Sequence, residues 1–233
     1  MRYFFDPAIT EYGFFMDGKT GSQVIVLHVI FFVLVALASY LLGSINSAVI
    51  ISKKIYGYDV RDYGSGNAGM TNMFRSFGKK AGFLTLGGDA LKALISVVLG
   101  YVLLGGGGQY MAGFFCMLGH MFPIYFKFKG GKGVIVSAMT ILMIDPLVFL
   151  VLVLLFGLMF AATRIISASS LTAAFFFPMV VYAFNYNHPK LSYTFFSLMI
   201  SFFVIALHKD NIRRLLNKTE KKFTIKKDNQ KGK

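Results

Sequence analysis

The chain has 233 residues, 56% hydrophobic and only 15% charged, with a positive mean hydropathy of +0.64. That balance excludes an ordinary soluble domain and a disordered chain, and fits one integral-membrane domain. The formal charge of +14, from 24 Lys and Arg against 10 Asp and Glu, would suggest nucleic acid in a soluble protein. In a membrane chain it reports topology instead, so no nucleic-acid partner is expected.

Residues 1–23 carry Asp6, Glu11 and Asp17 ahead of the first apolar run. This is the wrong charge order for a cleavable signal, and the segment reads as an extracytoplasmic extension. Apolar runs then follow at 24–51, 83–104, 110–126, 134–144, 147–162, 165–186 and 191–207. They predict an all-α membrane protein of seven transmembrane helices, with a domain over 24–223 and a basic cytoplasmic tail over 224–233. The fourth run is short for a crossing, and spans fully only if its glycine-rich entrance also lies within the membrane.

Charge arbitrates between six spans and seven. Lys and Arg gather in 52–80, in 127–133, at Arg164 and after His208, whereas the alternate segments hold only Arg2, Lys19 and Lys190. Seven spans make the two classes alternate strictly, which puts the N-terminus outside and the C-terminus in the cytoplasm. Lys92 is the exception, lying inside the second run three residues after Asp89. That spacing places both on one helix face and favours a structural ion pair over a direct role in a site.

The polar segments all fall on the basic side. In "RDYGSGNAGMTN" (residues 61–72), Gly64, Ser65, Gly66, Asn67, Gly69, Thr71 and Asn72 have the composition of an anion cradle, in which glycines let amides converge and hydroxyl and amide side chains add donors. A flexible connecting loop is the alternative. The G-x-G-x-x-G spacing is no dinucleotide signature here, since no βαβ unit surrounds it. "GGKG", with Gly130, Gly131, Lys132 and Gly133, is a second candidate cradle but not a Walker motif. Two cradles on one face suggest substrates carrying two phosphates.

His28, His120 and His188 read as structural. His208 opens "HKDN" where the last run meets the cytoplasm, with Asn211 on the same face if helix continues. It is either a proton acceptor near neutral pH or an interfacial helix-end histidine. Cys116 sits in an apolar run as a small buried thiol. No H-x-x-x-x-D, no H-E-x-x-H and no paired-carboxylate site is present, so no metal or other cofactor is expected.

In order and at compatible spacing, "LLGSINSAVIISKKIYGYDVRDYGSGNAGMTNMFRSFGKKAG", "LGHMFPIYFKFKGGKGV", "TRIISASSLTA" and "HKDNIRRLLNKTEKKF" resemble the bacterial integral-membrane glycerol-3-phosphate acyltransferases that use acyl phosphate. The resemblance runs from about Leu41 to Phe223. It implies a seven-helix enzyme in the cell inner (plasma) membrane, with its motifs on the cytoplasmic face. Such an enzyme transfers an acyl chain from acyl phosphate to the 1-hydroxyl of glycerol 3-phosphate, yielding lysophosphatidic acid and phosphate, the first step of phospholipid synthesis.

Carried over by motif, Ser65 and Arg75 match the first motif, Lys132 with Gly130, Gly131 and Gly133 the second, and His208 and Asn211 the third. A serine of "SASS" is expected to touch substrate, Ser170 in preference to Ser167. Asn46, Met70 and the pair Lys209 and Asp210 depart from the usual residues. The partners implied are glycerol 3-phosphate, acyl phosphate and membrane lipids, with the chain as a monomer. A membrane transporter or carrier of a phosphorylated lipid precursor is the competing reading, for which Asp89 and Lys92 would be the supporting feature.

Overall fold

A computed structural model describes residues 21–187 and 191–224. The extension up to residue 20, His188, Lys190 and the tail from residue 225 lie outside the described residues. Among these described residues nine α-helices follow in order: α1 (Gly21–Ser44), α2 (Ser47–Tyr56), α3 (Met70–Phe77), α4 (Lys79–Met121), α5 (Val134–Ile144), α6 (Pro146–Thr163), α7 (Ile166–Phe184), α8 (Leu191–Leu207) and α9 (Lys209–Leu216). No strand occurs among the described residues. All seven apolar runs are helical over most of their length.

Each run becomes helix because an apolar medium leaves no water for backbone groups, and a helix satisfies them within one segment. The outward faces carry bare apolar side chains such as Ile25, Val29, Leu154 and Phe202. Among the described residues four helices are long and apolar enough to cross a membrane, or five if α8 and α9, bent by 60°, are taken as one span. α4 is two of the expected runs joined at Gly105, whose φ of 67° and ψ of −155° are not helical. A Cβ placed on Gly100 would fall on the carbonyl of Gly108. Residues eight apart in a straight helix are separated by about 12 Å, so the chain doubles back at this point.

Small residues let the helices touch backbone to backbone. A Cβ on Gly43 would land on the Cys116 carbonyl, and one on Gly119 on the Tyr40 carbonyl, which seats α1 against the second half of α4. This is the close approach that membrane helices use in place of a hydrophobic driving force.

Between α1 and α2 the helix breaks at Ile45, leaving carbonyls without partners. Lys92 fills that role: its ammonium donates to the Gly43 and Ile45 carbonyls at 3.0 and 2.9 Å. It also lies 2.9 Å from Asp89 Oδ1 and 2.9 Å from His120 Nδ1. Ser47 on α2 donates to the same carboxylate oxygen at 3.0 Å. The expected i, i+3 pair is therefore the centre of a buried network joining α1, α2 and both halves of α4.

α5 has 11 residues, about 16 Å of helix against an apolar core about 30 Å thick. α6, antiparallel to it through the turn at Asp145, has 18. The "GGKG" loop that precedes α5 thus lies well below the other end of α6, and the site begins as a recess.

Breaking the buried pair is expected to destabilise the fold more than removing it. Lys92→Met should cost about 3–5 kcal/mol by stranding Asp89, and the double variant Asp89→Leu, Lys92→Met should recover only part of that loss, because the Gly43 and Ile45 carbonyls stay unpaired. Thermal unfolding in detergent micelles checks the order of the midpoints.

Candidate active site

The first glycine loop is built around Asn72, the third residue of α3. Its Oδ1 accepts the Ser65 amide at 3.0 Å, and its Nδ2 donates to the carbonyls of Val60, Tyr63 and Asn67 at 3.1, 2.9 and 3.1 Å. Gly64 has φ 61°, and a Cβ there would run into Asn72 Oδ1. Glycine at this position is required by both the left-handed backbone and the close approach. Asn46, a departure from the family pattern, caps α2 through Val49 and reaches the Ala68 carbonyl at 3.4 Å. The loop's backbone is held by side-chain hydrogen bonds from Asn72 and Asn46.

Arg61 joins this loop to the second. Asp59 holds its guanidinium at 2.7 Å, and Arg61 Nη1 donates to the Phe126 and Lys129 carbonyls. The hydrogen bonds from Arg61 hold the Asp59 carboxyl far below the ordinary range.

In "GGKG" the amides of Gly130 and Gly131 donate to the carbonyls of Met121 and His120 at 3.2 and 3.1 Å. A Cβ on Gly131 would meet His120 Nε2. These two glycines let the loop press against the end of α4, and their amides are engaged within the chain rather than offered to a phosphate. Gly133, at φ 77°, turns the chain into α5.

Lys132 projects from that loop to Asn211 Oδ1 on α9. Asn211 in turn donates from Nδ2 to Glu220 Oε1 at 2.7 Å, and Ser167 donates to the same oxygen at 2.8 Å. Arg214 donates to Glu220 Oε2 at 2.6 Å. Burial would raise the Glu220 pKa, but the hydrogen bonds from Arg214, Ser167 and Asn211 outweigh it and hold the carboxyl below its usual range. Burial, with the positive charge of Arg214, lowers Lys132 to about 8.

His208 stands at the bend between α8 and α9, 3% exposed. Its Nδ1 lies 2.7 Å from the Val204 carbonyl, which can only accept. The neutral ring therefore carries its proton on Nδ1 and leaves Nε2 as an acceptor. Burial and the charge of Lys132 push this imidazole down to about 4, so it is neutral at pH 7. Arg75 is half-buried, donates to the Lys221 and Lys222 carbonyls, and has a buried Nε with no partner among the described residues. Burial lowers its pKa, and Glu220 opposes that shift.

A cavity of about 330 Å³ opens among these groups. Ser65, Asn67, Gly69, Thr71, Asn72, Arg75, Lys132, Gly133, Ser167, Ser170, His208 and Asn211 all line it. Gly64, Gly66, Gly130 and Gly131 do not. Ser170 bonds to the Ile166 carbonyl of its own helix, whereas Ser167 is bound to Glu220. Below the polar mouth the walls are apolar, drawn from α5, α6, α7 and α8.

Glu220 is the residue that sequence reasoning missed. It is the only acidic residue between Asp210 and Asp228, in a stretch otherwise rich in Lys and Arg. That isolation was the available signal. Asp89 and His120, read as structural, also reach the cavity wall.

Among the described residues no group of three or more His, Cys, Asp or Glu could hold a metal ion. A family model described as glycerol-3-phosphate acyltransferase matches residues 33–218. The chain belongs to that family. It is 39% identical over 189 residues to the glycerol-3-phosphate acyltransferase of Bacillus subtilis, covering 81% of this chain and 96% of the relative. It is 40% identical over 194 residues to the one from Syntrophotalea carbinolica, covering 82% and 97%. The solved structure of PlsY, an integral membrane glycerol 3-phosphate acyltransferase, is similar in its glycerol 3-phosphate form, with a TM-score of 0.77 and 33% identity over 83% of this chain and 96% of that one. Its lysophosphatidic acid form gives a TM-score of 0.75, also at 33% identity, covering 83% and 95%. The chain is thus an acyltransferase with the fold of an integral membrane protein.

The lowered Lys132 pKa has a sign that can be tested. An ammonium that is to hold a phosphate must be charged, so if Lys132 serves that role kcat/KM for glycerol 3-phosphate should fall as pH rises through about 8. Lys132→Arg should move that limb upward by keeping the charge, whatever it costs in absolute rate. A pH series of initial rates reads both.

Proposed function

We propose that the cavity transfers an acyl chain from acyl phosphate to the 1-hydroxyl of glycerol 3-phosphate, releasing lysophosphatidic acid and inorganic phosphate. The observation that carries this is one recess with two chemistries. Arg75, Lys132 and Arg214 gather around the single carboxylate of Glu220 at its mouth, and an apolar channel descends beneath them. The unbalanced positive charge suits phosphate oxygens, and the channel suits an acyl chain. PlsY, with forms named for glycerol 3-phosphate and lysophosphatidic acid, supports both ends of the reaction.

In this reading the loop from Gly64 to Asn72 positions the acyl phosphate, with Ser65, Asn67 and Thr71 facing it. Arg75, Lys132, Ser170, His208 and Asn211 hold glycerol 3-phosphate. The hydroxyl oxygen bonds to the carbonyl carbon, the carbon–oxygen bond to phosphate breaks, and phosphate leaves with the electron pair. A mixed anhydride has a good leaving group, so orientation and charge stabilisation carry most of the rate. The proton passes to the phosphate of glycerol 3-phosphate, whose second pKa near about 6 makes it a better base than an imidazole held low by burial. His208 then orients the hydroxyl through Nε2.

The reading also places the chain as a monomer in the plasma membrane, in contact with membrane lipids and with the mouth toward the cytoplasm. The seven apolar helical stretches cross, the short α5 with its glycine-rich entrance recessed into the membrane, residues 24–223 form the domain, and the N-terminus lies outside. The clustering of Lys and Arg on the site's side supports the orientation, and a site built by one chain supports the monomer.

Purified protein in detergent, given glycerol 3-phosphate and acyl phosphates from octanoyl to stearoyl without added metal or thioester, should release phosphate and lysophosphatidate together. Absence of turnover sinks the proposal. His208→Gln should retain measurable turnover with an unshifted acidic limb. A rate collapse of about 100-fold or more with loss of that limb would make His208 the base instead.

A further inference from the structure

Every wall of the apolar channel ends at a definite depth. The last residue to line it is Ile141 on α5, Phe149 on α6, Phe177 on α7 and Ile200 on α8. α5 and α7 run away from the mouth, and α6 and α8 run toward it. Phe177 is seven residues below Ser170, and Ile200 eight below His208. At 1.5 Å per helical residue both lie about 10–12 Å beneath the polar groups.

What lies below this level is closed. Phe177 is 1% exposed, and its ring meets those of Tyr193 and Phe196 edge to face, at 65° and 87° and each at 6.3 Å between centroids. Tyr110 stacks on Tyr193 at 5.1 Å and tilts against Phe196 at 5.7 Å. Four rings from α4, α7 and α8 form a plug whose upper surface is Phe177. Such packing is dense, and a chain end cannot enter it without moving a ring.

Resting on the acyl-transfer reading above, we infer that Phe177 is the floor of the acyl channel and sets the acyl-chain length the enzyme prefers. The terminal methyl of a preferred donor stops against its ring, and a longer chain has to fold or force the plug. A route through the side is the competing geometry, since Val153 lines the channel and is also 47% exposed. A chain that left by that route would not feel the floor.

The test is kcat/KM across a series of saturated acyl phosphates from octanoyl to stearoyl, with glycerol 3-phosphate in excess. Phe177→Ala removes a ring about three carbon–carbon bonds deep, so the optimum should move by about three carbons toward longer chains. Ala174→Leu, one turn nearer the mouth on α7, should move it toward shorter ones. Each methylene newly admitted or excluded should change kcat/KM by about fourfold. If Phe177→Ala fails to fold, the direction of the Ala174→Leu shift decides alone. A wild-type enzyme that turns over no acyl phosphate overturns the acyl-transfer reading itself. Wild-type turnover with a chain-length profile unchanged in the folded variants overturns only the floor, and shows that the chain exits sideways.

Discussion

The structure depends on an ammonium group placed where helix α1 stops. Ending a helix in an apolar medium leaves carbonyls with nothing to accept from, and such groups are costly to bury unpaired. Lys92 answers the carbonyls of Gly43 and Ile45, and Asp89 and His120 surround the charge that this requires. With the break stabilised, the chain can leave the α1 direction, run through α2 and form the loop that carries Ser65.

The second loop is tied to the same network from the other side. The His120 carbonyl accepts the Gly131 amide while its ring faces Gly131, so Lys132 is set by groups that end in the Lys92 cluster. Arg61 then bridges the two loops through carbonyls of the second. The face that carries the cavity mouth is thus an extension of the packing beneath it. This explains why glycines recur at the contacts: at Gly43, Gly119, Gly130 and Gly131 a methyl group would strike backbone or ring atoms.

At the mouth the controlling feature is one carboxylate among cations. Glu220 takes hydrogen bonds from Ser167, Asn211 and Arg214, and Asn211 passes this order to Lys132. In the proposed reaction a phosphate entering beside Arg75 would meet positive charge already held in position, leaving little reorganisation for the reaction to drive. The C-terminal segment contributes directly, since Lys221 and Lys222 offer carbonyls to Arg75 and the Phe223 amide donates to the Arg164 carbonyl.

The sequence alone determined the membrane class, the seven apolar runs, the clustering of the basic residues in alternate segments and the ordered motifs. These follow from local composition and spacing, which an apolar solvent translates almost directly into helices. It also pointed to Asp89 and Lys92 as a pair, because i, i+3 spacing is a local fact. Tertiary structure decided what each polar group does. Asn72 holds the loop's frame, the Gly130 and Gly131 amides serve packing, and Glu220 organises the mouth from the basic stretch that follows Asp210. These roles arise from contacts between residues tens of positions apart, such as Lys132 with Asn211 and Ser167 with Glu220, and no local pattern encodes which distant partner a buried polar group will find.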